Sequence, residues 1–215
     1  MSASCGDNCQ ESAFDGASRR YRRVLWIVIG INAAMFAVEA VAGTLAGSMA
    51  LQADALDFAA DSATYALTLW AIGKPPTVRS TAALIKAASL TAMGIYVLGA
   101  TGYRVFITGV PEAFTMGGVA IAALVANLAA AALLYRYRDG DANVRSVWLC
   151  TRNDAIGNVA VLAAAIGVFG TASAWPDLAV AAIMATLFLT SSVRITRQAL
   201  AERRQRRHAG VAVAP

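Results

Sequence analysis

Residues 51–67 read LQADALDFAADSATYAL, and residues 146–162 read SVWLCTRNDAIGNVAVL. Both are apolar enough to lie inside membrane-length helices, yet both carry carboxylates. Asp54, Asp57 and Asp61 are spaced i, i+3 and i+7, which puts all three on one face of a helix, and Tyr65 extends the same stripe by four residues. On the second stretch, Cys150, Asp154 and Asn158 are spaced i, i+4 and i+8. An ionised carboxylate in a bilayer costs about 2.5–3.5 kcal/mol on insertion scales, so such residues are rare and default to function. Span one adds Asn32 and Glu39, and span four adds Asn127. Interhelical hydrogen bonding accounts for the asparagines. It accounts poorly for four aspartates, since amides would do the same at lower cost. The pattern points to a cation site inside a helical bundle. Asp54 and Glu39 sit nearer the outer half, where they line an exit path or meet headgroups.

The rest of the chain agrees with a membrane reading. Its 215 residues are 58% hydrophobic and 14% charged, with a mean hydropathy of +0.57, which is the composition of an integral membrane protein. A hydrocarbon core of about 30 Å needs about 20 helical residues. Spans are expected near 24–46, 50–72, 82–108, 114–135, 146–170 and 176–193, separated by turn sequences such as Lys74-Pro75-Pro76 and Trp175-Pro176. The fold class is therefore an all-α membrane protein with six transmembrane helices. Residues 1–20 read as a disordered N-terminus, 21–200 as the membrane domain and 201–215 as a short basic tail; the stretch after span six, from Arg197, is expected to make one or two helical turns before a small-residue end. The polar N-terminus and the long first apolar run do not read as a secretory signal.

The basic residues set the orientation. Sixteen of the 18 Lys and Arg fall on one side of a six-span topology, before span one, around the second and fourth loops, and after span six. Arg104 lies toward the other face, and Arg152 is close enough to the basic end of span five to snorkel. The positive-inside rule places that side, with both termini, in the cytoplasm of an inner-membrane protein. The net charge of +5 flanks apolar spans and does not cover a soluble face, so nucleic acid is not an expected partner. Cys5 and Cys9 offer two thiolates, half of a closed zinc site. An incidental pair in a disordered tail fits equally well.

With these residues in hand, the sequence resembles the cation diffusion facilitator family over residues 20–200. GTLAGSMALQADALDFAADS (43–62) resembles that family's G-x-x-x-x-S-x-A-L-x-x-D-A segment running into a second-span (H/D)-x-x-x-D motif, here Asp57 and Asp61. NVRSVWLCTRNDAIGNVAVLAA (143–164) resembles its fifth-span N-x-R-x-x-x-x-H-x-x-x-D segment. Asp154 stands at the final Asp and Cys150 at the usual His; the chain's one His is His208 in the tail. The resemblance implies a single tetrahedral site for a transported divalent metal, Zn²⁺ foremost, with Cd²⁺, Co²⁺ and Mn²⁺ as alternatives. It also implies a homodimer and efflux by proton antiport with alternating access. The family's cytoplasmic C-terminal domain has no counterpart here, so the sequence reads as a short form. Dimer contacts then fall to the spans, where Gly94, Gly99, Gly102, Gly117 and Gly118 permit close approach.

Metal ligands are expected at Asp57, Asp61 and Asp154, with Cys150 or Asn158 as the fourth. The motif favours Cys150, whereas helix depth favours Asn158. A thiolate would suit Zn²⁺ or Cd²⁺, and an amide oxygen would suit Mn²⁺ or Co²⁺. Metal and protons would compete for the same carboxylates, which couples their movements. No prosthetic group, nucleophile–base pair or His-bearing catalytic motif is indicated, so the chain does not read as an enzyme. The alternative reading is a non-transporting, metal-binding accessory subunit with the same fold.

Overall fold

The structure, a computed structural model, describes residues 18–71, 76–107, 109–139 and 142–211. Cys5 and Cys9 lie outside the described residues. Six long helices follow one another: α1 (Arg19–Leu45), α2 (Met49–Ala71), α3 (Pro76–Phe106), α4 (Ala113–Leu134), α5 (Ala142–Thr171) and α6 (Trp175–Val211), with a 3₁₀ turn at Tyr135–Tyr137. They pack chiefly as the pairs α1–α2, α3–α6 and α4–α5. The pairs are antiparallel. Phe114 at the start of α4 meets Phe169 at the end of α5, and Tyr135 meets Trp148 at the opposite ends. Thr91 likewise bonds Ser192 across α3 and α6, at 2.6 Å.

Five of the helices are long and apolar enough to cross a bilayer. The sixth, α2, has 23 residues, and its three aspartates keep it from qualifying on composition. The six-span expectation still holds, for a physical reason. α2 packs against α1, α3, α5 and α6, so its acids are enclosed by neighbouring helices and do not meet lipid. The lipid-facing surface is apolar instead: Leu45 and Phe106 are 81% and 87% exposed, and Trp26, Ile95, Ile121 and Ile166 are also exposed. An apolar belt of this extent marks a membrane-embedded surface.

Two helix ends position the site. Ser18 caps α1, its side chain accepting from the Tyr21 amide. Between α1 and α2 the chain reverses through Gly47, whose φ of +66° suits a residue without Cβ. The Gly47 carbonyl accepts from Arg104 Nη1 at 2.8 Å. α2 is then capped from a distance. Buried Asp177, in the first turn of α6, accepts from Ser48 Oγ (2.6 Å), the Met49 amide (2.8 Å) and the Ala50 amide (3.0 Å). At the start of α4, Glu112 accepts from the Phe114 and Thr115 amides. Its hydrogen bonds with Thr115 hold that exposed carboxyl below the usual carboxylate range.

Two expectations need correction. α6 does not stop one or two turns beyond span six; it runs as one helix to Val211, and no Gly or Pro interrupts residues 194–208. Gly94 is not free for a dimer contact. A Cβ there would meet Leu189 Cγ of the same chain at 2.8 Å, so it serves the α3–α6 packing. Gly99, Gly102 and Gly118 have open space above them. Arg152 does reach outward, with its guanidinium 5.3 Å from the Trp148 ring centre, in a belt with Arg138 stacked over Tyr135. Arg and aromatic side chains gathered in this way are typical of a membrane interface.

Candidate metal site

Because α2 is an unbroken helix, the i, i+3, i+7 spacing is realised as one polar face. That face lines a narrow, closely packed crevice bounded by Asn32, Asp54, Asp57, Phe58, Asp61, Asn127 and Asp154. Four helices contribute to it: α1, α2, α4 and α5. An apolar layer of Tyr21, Leu25, Val28, Tyr65 and Leu134 closes the side toward the start of α1. A larger apolar cluster, including Met49, Leu51, Met116 and Val161, packs toward the other end. The crevice is thus a polar band between two apolar layers.

Asp154 on α5 lies within electrostatic reach of Asp57 and Asp61 across the interface. Its Oδ2 is buried without a hydrogen-bond partner, as is Oδ1 of Asn127. Asn32 spends its side-chain nitrogen on the Val28 carbonyl at 2.9 Å. Lys86 of α3 is within electrostatic range of Asp57. Among the described residues, no three His, Cys, Asp or Glu side chains converge into a finished cage. The acids border a common space.

The sequence-derived candidates are therefore placed unequally. Asp57, Asp61 and Asp154 line the same crevice without converging on one point. Cys150 does not line the crevice; it packs beside the apolar layer that contains Tyr65 and Val147, although within electrostatic range of Asp61 and Asp57. Asn158 is fully buried, and both its side-chain polar atoms lack partners, but it too lies off the crevice lining. Asn32 and Asn127, which interhelical bonding seemed to explain, do face it. Their polarity was visible in the sequence; their direction depended on helix packing.

A short hydrogen-bonded relay fixes one ligand candidate. Tyr65, fully buried, donates to Asp61 Oδ2. Its hydroxyl also pairs with Thr151 Oγ1 on α5 at 2.8 Å, and with the Tyr65 proton on Asp61 it is Thr151 that donates here, its one proton taken from the alternative acceptor, the Val147 carbonyl. With Oδ2 so engaged, Asp61 has Oδ1 left for an ion. Outer-shell partners of this kind orient ligands, and losing one typically costs 10–100-fold in metal affinity, on the order of that range. Tyr65→Phe should weaken metal binding accordingly while the protein stays folded. Isothermal titration in detergent checks this; an unchanged affinity would remove Tyr65 from the site.

Comparison with known proteins agrees with the fold. Residues 25–202 match the family described as the cation efflux transmembrane domain. The chain is 29% identical over 194 residues to the zinc transporter ZitB of Escherichia coli (strain K12), covering 84% of this chain and 62% of that protein. It is 29% identical over 174 residues to the metal cation efflux system protein CzcD of Cupriavidus metallidurans, covering 75% and 55%. It is 26% identical over 202 residues to the cadmium, cobalt and zinc/H(+)-K(+) antiporter of Bacillus subtilis (strain 168), covering 86% and 63%. The chain thus spans less than two thirds of the length of these relatives. A multi-pass helical bundle, acids from two helices on one crevice, and a family match over most of the sequence make this chain a member of the cation diffusion facilitator, or cation efflux, family.

Proposed function

We propose that this chain carries divalent transition-metal ions out of the cytoplasm, exchanging them for protons by alternating access. The observation that carries the reading is the crevice itself. Carboxylates of α2 and α5 face each other between two apolar layers, in the interior of a membrane bundle. Burial there is costly without a cation to offset it. The relatives, named for zinc, cadmium and cobalt transport and for antiport, point the same way. Ion and protons occupy the same carboxylates in turn, so binding one releases the other. The basic flanks of the spans favour cytoplasmic termini. A homodimer paired through the spans completes the proposal, and the open Gly99 and Gly102 on α3 leave room for a neighbouring helix.

Asp57, Asp61 and Asp154 are the proposed ligands. The buried, unpartnered Asn127 Oδ1 is better placed than Cys150 or Asn158 to be the fourth. An all-oxygen set accepts Zn²⁺, Co²⁺ and Mn²⁺ and gives up the thiolate preference for Cd²⁺. The test is metal uptake by purified protein in liposomes, with a metal panel and an imposed pH gradient. Gradient-dependent flux is expected. Metal binding without flux of any metal would favour the accessory-subunit reading instead. In the same assay, Asn127→Ala should weaken transport of all metals alike, and Cys150→Ser should leave the metal profile unchanged. A selective loss of Zn²⁺ and Cd²⁺ in Cys150→Ser would reassign the fourth ligand to the thiol.

A further inference from the structure

Glu39 of α1 has no part in the crevice, yet it is fully buried, and no amide or hydroxyl group bonds either of its carboxyl oxygens. Its neighbour across the helix pair is Asp54, which is 2% exposed and whose Oδ2 is likewise without an amide or hydroxyl partner. The two carboxyls lie within hydrogen-bonding reach of each other, so that one shared proton can join them. The helices are close here. One turn beyond Glu39, a Cβ on Gly43 would lie 3.1 Å from Gln52 and Leu51, and Gln52 Nε2 donates to the Gly43 carbonyl. At about 1.5 Å per residue, Glu39 lies about 9 Å from the Leu45 end of α1, and Asp54 about 8 Å from the Met49 end of α2. Asp57 and Asp61 are about 12 and 18 Å from that same end. Asp54 belongs to both groups, because it lines the crevice and faces Glu39.

A carboxyl kept for packing alone would be replaceable by an apolar side chain, and one kept for structure would have its oxygens bonded. Two facing carboxyls shielded from water and lipid, with no amide or hydroxyl bonding these oxygens, are held together only by a shared proton, and a cation can take that proton's place. We propose that Glu39 and Asp54 form a second divalent-cation station, on the far side of the crevice from the N-terminus of α1, where the ion pauses between the crevice and the outer face. This rests on the transport reading above. Two carboxylates make an open, weak site, with water filling the remaining positions, which suits a release step.

Zinc titration of the full purified chain tests the station. Asp57→Asn combined with Asp154→Asn disables the crevice and should leave one weaker zinc-binding event. Adding Glu39→Gln should abolish it. Absence of that event in the double variant, or its persistence with Glu39→Gln, would overturn the station. Glu39→Gln alone is a milder second arm. Zinc turnover in liposomes should fall while crevice affinity is retained, and Glu39→Asp should recover part of the rate. Unchanged turnover would also overturn the proposal. Failure of the transport reading looks different: it appears as flux that survives loss of Asp57 and Asp154, whatever happens at Glu39.

Discussion

Asp57→Ala, Asp61→Ala and Asp154→Ala are each expected to abolish metal flux while leaving a folded, inserted protein. The three carboxyls border one crevice, and a four-coordinate ion that loses a charged ligand loses both attraction and geometry. Structural damage should be small. Asp57 and Asp154 stand on helices that are held by apolar packing on either side, and removing a carboxylate from the bilayer interior eases insertion. Asp61 differs in one respect, because its loss also frees the Tyr65 hydroxyl, which keeps Thr151 as a partner. The combination to measure is flux in liposomes alongside thermal unfolding in detergent. Substantial transport by any two of the three variants would sink the site assignment.

The bundle was legible because hydropathy and turn chemistry are local. The expected spans and the observed helices agree in number and order. They differ at the ends for a consistent reason: hydropathy marks where the bilayer is, whereas a helix continues until something stops it. α1 begins at Arg19, inside the basic cluster, because Ser18 supplies the cap. α3 begins at Pro76, a residue suited to a first helical turn. α6 continues well past its apolar part.

The site was legible only along single helices. The spacing of Asp54, Asp57 and Asp61 fixes a face wherever α2 is placed. Which residues of other helices meet that face depends on tilt and axial offset, which periodicity does not encode. Counting along the antiparallel spans α2 and α5 put Asn158 level with Asp61, yet the crevice takes Asp154 from α5 together with Asn32 and Asn127. Asn127 looked like ordinary interhelical glue because one amide in an apolar span carries no directional signal. Asp177 directly follows the Trp175-Pro176 turn, and nothing in its local sequence marks it as a cap for α2. Its partners lie 127 to 129 residues away, beyond any local pattern.

That distant cap gives the largest expected effect on stability. Asp177→Ala leaves the Ser48 hydroxyl and the Met49 and Ala50 amides without their acceptor, in a setting where Ser48 and Asp177 are fully buried. Each buried donor left unsatisfied costs about 1–3 kcal/mol, and removing a helix cap typically costs about 0.5–2 kcal/mol. Ser48 Oγ can still serve the Leu51 amide, so the loss is partial, and a net cost of several kcal/mol is expected, on the order of the per-donor figure taken two or three times. Asp177→Asn discriminates capping from mere polarity. The amide oxygen can take the place of Oδ1 toward Ser48 and Ala50, but the amide nitrogen then faces the Met49 N–H, donor against donor. The Asn variant should therefore fall between wild type and Ala. Thermal unfolding followed by helicity in detergent measures the order. Equal stability of all three proteins would mean that α2 begins where it does without help from α6, and that the link between the two helices lies elsewhere.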